Sequence, residues 1–303
     1  MNKVSIIIPT FNRGTIITET LDSITAQTHL DWECLIIDDG SIDSTESVIN
    51  DYSLRDDRFI YHKRPRDRTK GANACRNYGF EQCSGEFIQW FDSDDIMLPE
   101  KLALKIELLN ANPSSDFVVC EGADIGEGNE KPVKIWSLQN EGNLLLNHIR
   151  GIVVFGTNGP LFRRSYLENL TLFDESLSIR QEWEFFSRLL MKQPEVGFLY
   201  KVLYHYKTFD SGIRRNNNYA RLKGVIKAER KLLNTINKKD PFNENDTYIY
   251  RRSVINRVKK HLPIALRSGK IAGVFFLIST LLRTLNFTFV SNGFKRVFNR
   301  KSI

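Results

Sequence analysis

Apolar residues in the first 125 positions come in short unbroken runs, separated by longer stretches with a helical repeat. Val4-Ser5-Ile6-Ile7-Ile8 has the length and β-branched content of a buried strand, and Pro9 ends it. Ile17, Leu21 and Ile24 then share the spacing of one helix face. Cys34-Leu35-Ile36-Ile37 predicts a second strand, closing on Asp38-Asp39-Gly40-Ser41. Asp43 or Ser44 can cap the next helix, which carries Val48, Ile49 and Tyr52. Phe59 to His62 predicts a third strand, Gly71 to Cys83 a helix, and Phe87 to Phe91 a fourth strand. Pro99 opens a helix with Leu102, Ile106 and Leu109, Asn112-Pro113 stops it, and Phe117 to Cys120 is a fifth strand. Such alternation predicts an α/β protein whose parallel sheet is covered by helices on both faces.

Beyond residue 125 the alternation fades. Gly126, Gly128, Gly142, Gly151, Gly156 and Gly159 punctuate a segment expected to be irregular, with short strands. Gln181 to Met191 predicts a helix with Phe185, Phe186, Leu189 and Leu190 apolar, and Val202 to Tyr206 a strand. From Tyr219 onward the pattern is helical and basic, with breaks expected near Pro241 and Pro263. The expected organisation is one domain over residues 1–215, its halves meeting near residue 125, and a helical basic region over 216–303.

Charge sharpens that division. Residues 210–303 hold 21 Lys and Arg against 5 Asp and Glu, whereas the remainder of this +7 chain is net acidic. A tail of this kind suits an anionic membrane surface or an acidic phosphate partner. It matches no nucleic-acid reader, so no nucleic-acid partner is expected. The longest apolar stretch, Ile271 to Leu282, stops at Arg283, short of a membrane span. Val4 to Ile8 is too short for a secretory leader, and the four cysteines show no metal spacing. Both point to a cytoplasmic protein with free thiols.

The polar clusters fall where an α/β sheet binds ligands, just past the carboxyl ends of strands. They are Pro9-Thr10-Phe11-Asn12, Asp38-Asp39 and Asp92-Ser93-Asp94-Asp95. Packed carboxylates repel one another unless a cation sits among them, and hard carboxylate oxygens suit Mg²⁺ or Mn²⁺. No GxGxxG follows the first strand and no GxxxxGK[ST] occurs, which argues against a dinucleotide fold or a P-loop enzyme. A haloacid-type phosphatase would need an Asp where Ile37 stands.

Four stretches in this order resemble glycosyltransferase family 2, the inverting nucleotide-sugar transferases of GT-A fold. They are Val4 to Arg13, Ile36-Ile37-Asp38-Asp39-Gly40-Ser41, Gly71-Ala72-Asn73-Ala74-Cys75-Arg76-Asn77 and Phe91-Asp92-Ser93-Asp94-Asp95. The likeness covers about residues 3–210. It implies a Rossmann-like, mixed but mainly parallel sheet flanked by helices, with a basic α-helical C-terminal extension. It also implies transfer of a hexosyl or N-acetylhexosaminyl group, with UDP as the expected nucleotide. The acceptor would be a hydroxyl of a glycan or lipid-linked glycan in cell-surface polysaccharide synthesis, with the enzyme cytoplasmic or peripheral on the inner membrane face.

The resemblance also assigns residues. Pro9, Thr10 and Asn12 would line the base site, and Asp39 would accept from the base NH, its plainer alternative being a helix cap. Arg76 would lie near the diphosphate or base, or be a plain surface arginine. Asp94 would contact a divalent metal, and Asp92 the metal or the ribose and sugar hydroxyls. Asp95 would be a further ligand or cap the Pro99 helix. In Arg180-Gln181-Glu182-Trp183-Glu184, Glu182 stands where relatives keep the catalytic Asp, and Gln181 replaces the first acid of the usual pair. Glu182 is therefore the expected base, with a role as a first-turn carboxylate as the alternative. Trp183 could stack on a sugar or fill the core, and Asn158 lies in a stretch resembling the acceptor side. His205 is a weaker candidate for phosphate or metal, and Arg214-Arg215 for a loop over the diphosphate. The Gln181 departure keeps open a second reading, a nucleotide-sugar-binding module that has lost turnover.

Overall fold

The computed structural model describes residues 2–126, 132–208, 219–267 and 278. The chain divides into two compact units, residues 1–215 and 216–303.

In the first unit, β1 (Val4–Thr10) runs parallel between β2 (Trp32–Asp38) and β4 (Phe87–Trp90), and β3 (Phe59–Lys63) adds to the far side of β2. Every residue of β1 and β2 is buried, as unbroken apolar runs in a doubly covered sheet must be. Beyond β4 the sheet becomes mixed. β8 (Pro160–Arg163) is antiparallel to β4 and to β6 (Phe117–Gly126), and β6 pairs in parallel with β9 (Val196–Thr208). β5 (Ile96–Met97) closes the order 3-2-1-4-8-6-9-5, and β7 (Lys134–Trp136) hangs on β6.

One face is covered by α1 (Ile17–Thr25), α2 (Thr45–Arg55) and α4 (Lys101–Ala111), whose Ile17, Leu21, Ile24, Ile49, Leu102, Ile106 and Leu109 cluster with Ile6, Ile8 and Ile36. The other face receives α3 (Ala72–Gln82). Gly79 lets that helix sit close, because a Cβ there would lie 2.3 Å from Ile7 Cγ2. Further along the chain come α5 (Leu144–Arg150), the short α6 (Arg164–Leu167) and α7 (Gln181–Leu190). Trp90 anchors the latter region, with Phe173 at 5.0 Å and Phe185 at 5.8 Å between ring centres. All four cysteines are buried and unpaired.

In the second unit α8 (Tyr219–Lys239) buries Leu222, Ile226, Leu233 and Ile236, and α9 (Glu244–Arg267) buries Tyr250, Val254 and Val258. Arg257 Nε lies 2.6 Å from Glu229 Oε1 across the pair. No helix among the described residues is long and apolar enough to cross a membrane.

The predicted strands and helices of the first 125 residues are present, with differences along the chain, among them α5, which stands within the segment 126–160 expected to be irregular with short strands. β5 is absent from the expectation: two residues pairing with Met97↔Tyr204 and Ile96↔His205 leave no periodic trace. The strand expected over Val202 to Tyr206 extends back to Val196. Pro263 does not break its helix; it lies exposed inside α9, where it removes one backbone donor. The expected break at Pro241 does separate α8 from α9.

Candidate active site

The site is built on the carboxyl edge of the parallel strands. Thr10 O accepts from Asp39 N at 2.9 Å, tying the ends of β1 and β2 together. Asn12, in left-handed conformation (φ 50°), accepts from Ile42 N at 2.9 Å and donates its own N–H to Ser41 Oγ at 2.9 Å. Its side chain thus holds two loops together. Asp38 is spent on its own turn, accepting from Gly40 N, Ser41 N, Ser41 Oγ and the Tyr61 hydroxyl. Asp39 does not cap α2, the helix after its own strand; its contacts lie at Arg64 and at Gly71, the residue before α3. Its Oδ1 accepts from Arg64 Nε at 2.5 Å and from Gly71 N at 3.1 Å, in a nearly buried position. Pro9 is buried within β1 opposite Ile37, and Thr10 is buried with a hydroxyl that has no partner among the described residues. Phe11 is the residue that reaches out of this loop, 40% exposed, with Lys70 Nζ 4.1 Å from its ring centre.

The acidic cluster separates into two kinds of carboxylate. Asp92 and Asp94 each keep 26% of the side chain exposed. Asp92 Oδ1 accepts from Arg76 Nη2 at 2.8 Å, and the Thr157 hydroxyl approaches Oδ2 at 3.3 Å. Asp94 Oδ2 accepts from Arg13 Nη2 at 3.2 Å. Glu100, not Asp95, precedes α4, so the expected helix cap does not hold, and Asp95 is fully buried. Its carboxylate accepts from Lys207 N at 2.9 Å and from the Asn158 amide. Burial, reinforced by Asp92 and Asp94, holds its pKa well above the usual carboxylate range. Asn158 lies behind the acidic loop: its Oδ1 accepts from Asp92 N at 2.9 Å while its Nδ2 donates to Asp95.

Arg76 is no surface arginine, with only 4% of its side chain exposed. Its Nη2 lies 2.8 Å from Asp92 Oδ1 and 3.9 Å from Glu182 Oε1, and its Nη1 donates to Gln181 Oε1 at 3.1 Å. Two asparagines a turn apart on α3 bring α7 to this point. Asn73 donates to Asp174 O and Leu177 O, and Asn77 donates to Phe173 O, so the loop before α7 is pinned to α3. Arg180, at φ 57°, then turns the chain into the helix. Glu182 stands in its first turn, 35% exposed. Glu184 is buried and paired with Arg188 at 2.6 Å, which takes it out of the reaction. Trp183 is half-buried; its N–H donates to Ile149 O at 3.2 Å and the Arg180 guanidinium covers its ring. His205 pairs in register with Ile96, and partial burial lowers its pKa. Arg214-Arg215 and the stretch 271–282, apart from Ile278, lie outside the described residues, as do the basic pairs after it.

Among the described residues no three His, Cys, Asp or Glu side chains converge as a metal cage. Asp92 and Asp94 instead fit a small hard cation that takes its remaining oxygens from a bound diphosphate, as Mg²⁺-type sites commonly do. Arg13, Arg64, Thr157 and Gln181 were not assigned from the sequence. Arg13 carried a signal in its place in the strand-end motif, and Gln181 in its place beside Glu182; Arg64, Thr157 and Gln181 are joined to the site by contacts spanning 25 to 105 residues.

A parallel sheet that turns mixed beside its acidic loop, with Asp39, Asp92, Asp94 and Glu182 along one edge, has the architecture of the GT-A glycosyltransferases. The fold is shared with S. aureus TarS in complex with UDP-GlcNAc (TM-score 0.65, 22% identity, 83% of this chain and 71% of that one). It is shared also with the mannosyltransferase PcManGT of Pyrobaculum calidifontis in complex with GDP-Man and Mn²⁺ (TM-score 0.56, 17% identity, 93% and 86%). The model of glycosyl transferase family 2 matches residues 5–171, more than half of the chain, and the protein belongs to that family. An uncharacterized glycosyltransferase of Rickettsia felis is 27% identical over 223 residues, 71% of this chain but only 36% of the relative's length. The GalNAc(5)-diNAcBac-PP-undecaprenol beta-1,3-glucosyltransferase of Campylobacter jejuni is 35% identical over 120 residues, 40% of this chain and 38% of that one.

Proposed function

We propose that the protein is an inverting glycosyltransferase that moves a sugar from a nucleoside diphosphate donor to a hydroxyl of a glycan or lipid-linked glycan. The observation that carries this reading is the meeting of Asp92 and Glu182 at one guanidinium, 2.8 and 3.9 Å from Arg76 Nη2. A donor-side acid and an acceptor-side acid then flank one reaction centre. Glu182 takes the proton of the acceptor hydroxyl as its oxygen attacks the anomeric carbon, the bond to the diphosphate breaks, and the configuration inverts. Asp94, with Asp92, would hold Mn²⁺ or Mg²⁺, which when bound neutralises the charge of the leaving diphosphate. Arg76 holds Asp92 in place from behind rather than touching the diphosphate. Asp39, with Arg64 beside it, offers an acceptor and a donor to the edge of a base, which suits uracil.

UDP is the proposed nucleotide, supported by the UDP-GlcNAc bound to TarS; Mn²⁺ is supported by its presence with PcManGT. A lipid-linked acceptor has the Campylobacter enzyme in its favour. The basic α8 and α9, with Lys223, Lys227, Lys259 and Lys260 exposed, support peripheral seating on an anionic inner membrane face. The reading as a binding module without turnover rests on Gln181, yet this side chain has a task that a glutamine performs, accepting from Arg76.

Calorimetric titration of UDP, GDP and dTDP with and without Mn²⁺ tests the donor site. Metal-dependent binding of UDP is expected; folded protein that binds none of the three would overturn the reading.

A further inference from the structure

Behind the acidic loop lies a buried polar layer that the proposed reaction does not use. Lys101 and Lys105 on α4 and Gln89 in the middle of β4 are all fully buried. Polar and charged groups are costly to bury unless they find partners. At neighbouring positions α4 presents Leu102, Ile106 and Leu109, so the sheet could have been covered by apolar residues throughout.

What Lys105 and Gln89 grip is one short segment, whereas Lys101 Nζ lies over the Phe91 and Tyr204 rings, 4.4 and 5.3 Å from their centres. Lys105 Nζ donates to Gly159 O and lies 3.2 Å from Gln89 Oε1. Gln89 Nε2, with two protons to share, lies 2.6 Å from its neighbour Trp90 O, 3.3 Å from Asn158 O and 3.4 Å from Thr157 O. Three consecutive carbonyls of an irregular segment therefore face the core, towards the Gln89 amide and the Lys105 amine, as buried carbonyls seek donors. Turning the carbonyls inward sends two side chains the other way. Thr157 Oγ1 reaches the Asp92 carboxylate at 3.3 Å, and the Asn158 amide holds both Asp92 N and the Asp95 carboxylate. Asp95 in turn accepts from Lys207 N, fixing the far end of β9 to the same loop.

We propose that Asn158, braced from behind by Lys105 and Gln89, is a positioning residue that sets the geometry of the Asp92–Asp94 loop for its cation and diphosphate. The inference rests on the donor-site reading given above. It assigns Asn158 to the donor side, acting through Asp92, rather than to the acceptor. Burial lowers the pKa of Lys105, which is consistent with an amine kept for its hydrogen bonds rather than its charge.

The test uses full-length protein, UDP as probe and two variants, Asn158→Ala and Lys105→Met. The quantity read is the ratio of UDP affinity in Mn²⁺ to that in EDTA, with thermal unfolding recorded alongside. Loss of a residue that orients metal ligands commonly costs about 10- to 100-fold in metal affinity. The ratio is expected to fall by about tenfold or more in Asn158→Ala and in the same direction in Lys105→Met. The EDTA value should hold, because Asp39 and its loop are untouched. Lys105→Met keeps the side-chain length and removes a buried amine, so it decides the matter if Asn158→Ala does not fold. A lowered melting temperature with an unchanged ratio would show that the layer serves the fold alone and would overturn the proposal. Wild-type protein with no manganese-dependent gain would instead sink the donor-site reading, and the inference with it.

Discussion

The two halves of the sheet are built by different rules. From β3 to β4 every pairing is parallel, a helix separates each strand from the next along the chain, and β1, β2 and β4 are short buried runs. From β8 to β5 the pairings are mixed, the strands range from 2 to 13 residues, and β6 and β9 shift register near Cys120 and Gly122. At the second shift Gly122 lies against Tyr204, where a Cβ would come within 2.1 Å of the ring. The first half places its polar residues by chain adjacency, each on the loop that leaves a strand. The second places them by distant contacts, such as Asn158 with Asp92 across 66 residues and Gln181 with Arg76 across 105. The first half is thus organised to hold a ligand at strand ends, and the second to bring further groups against it.

If that division is also one of function, the halves should fail differently. The largest effect is expected from Glu182→Gln on the second half. Transfer should fall by about 10²- to 10⁴-fold, the usual worth of a general base, while UDP binding in Mn²⁺ stays within about twofold. A near-normal rate would place the base elsewhere. Asp94→Ala on the first half should do the reverse of sparing the donor, cutting manganese-dependent UDP affinity by about 100-fold. Unchanged affinity in that variant would remove Asp94 from the metal site.

Acid should separate the halves more gently. His148, in the second half, is buried, and burial pushes its pKa down to about 4 despite bonds to the carbonyls of Trp183 and Val153. A depressed histidine stabilises the fold fully above its unfolded pKa of 6.5 and loses that contribution as pH falls towards 4. Wild-type stability in urea should drop by about 2 kcal/mol between pH 7 and pH 5, and His148→Gln should flatten the slope. Equal slopes would refute the assignment. Glu33, in the first half, is also pushed up by burial, but Lys3, Ser5 and Ser84 outweigh this and bring its pKa to about 2. Its contribution is complete above 4.5 and drains only as pH falls from there to 2, so the two windows barely overlap.

The same contrast explains how much of the molecule was legible in the chain. The strands and helices of the first half, their order and the acidic loop after β4 follow from apolar runs, helical repeats and Asp spacing. The β6–β9 pairing and β5 do not, because a strand paired across some eighty residues leaves no local period. Lys101 and Lys105 illustrate the limit well. Four residues apart on a helix, they look like a solvated face; the path of Gln89 and residues 157–159 makes the burial of Lys105 possible, and the Phe91 and Tyr204 rings receive Lys101.

By itself the sequence determined the fold class, the family and the set of carboxylates from which the site is drawn. Each of these depends on residues close together in the chain, where steric and periodic rules act. Tertiary structure alone decided the state of each acid: Asp38 committed to its turn, Asp95 locked in the core, Asp92 and Asp94 left at the surface, and Glu182 brought to Arg76. Burial and partners set what a carboxylate can do, and both come from segments far away along the chain.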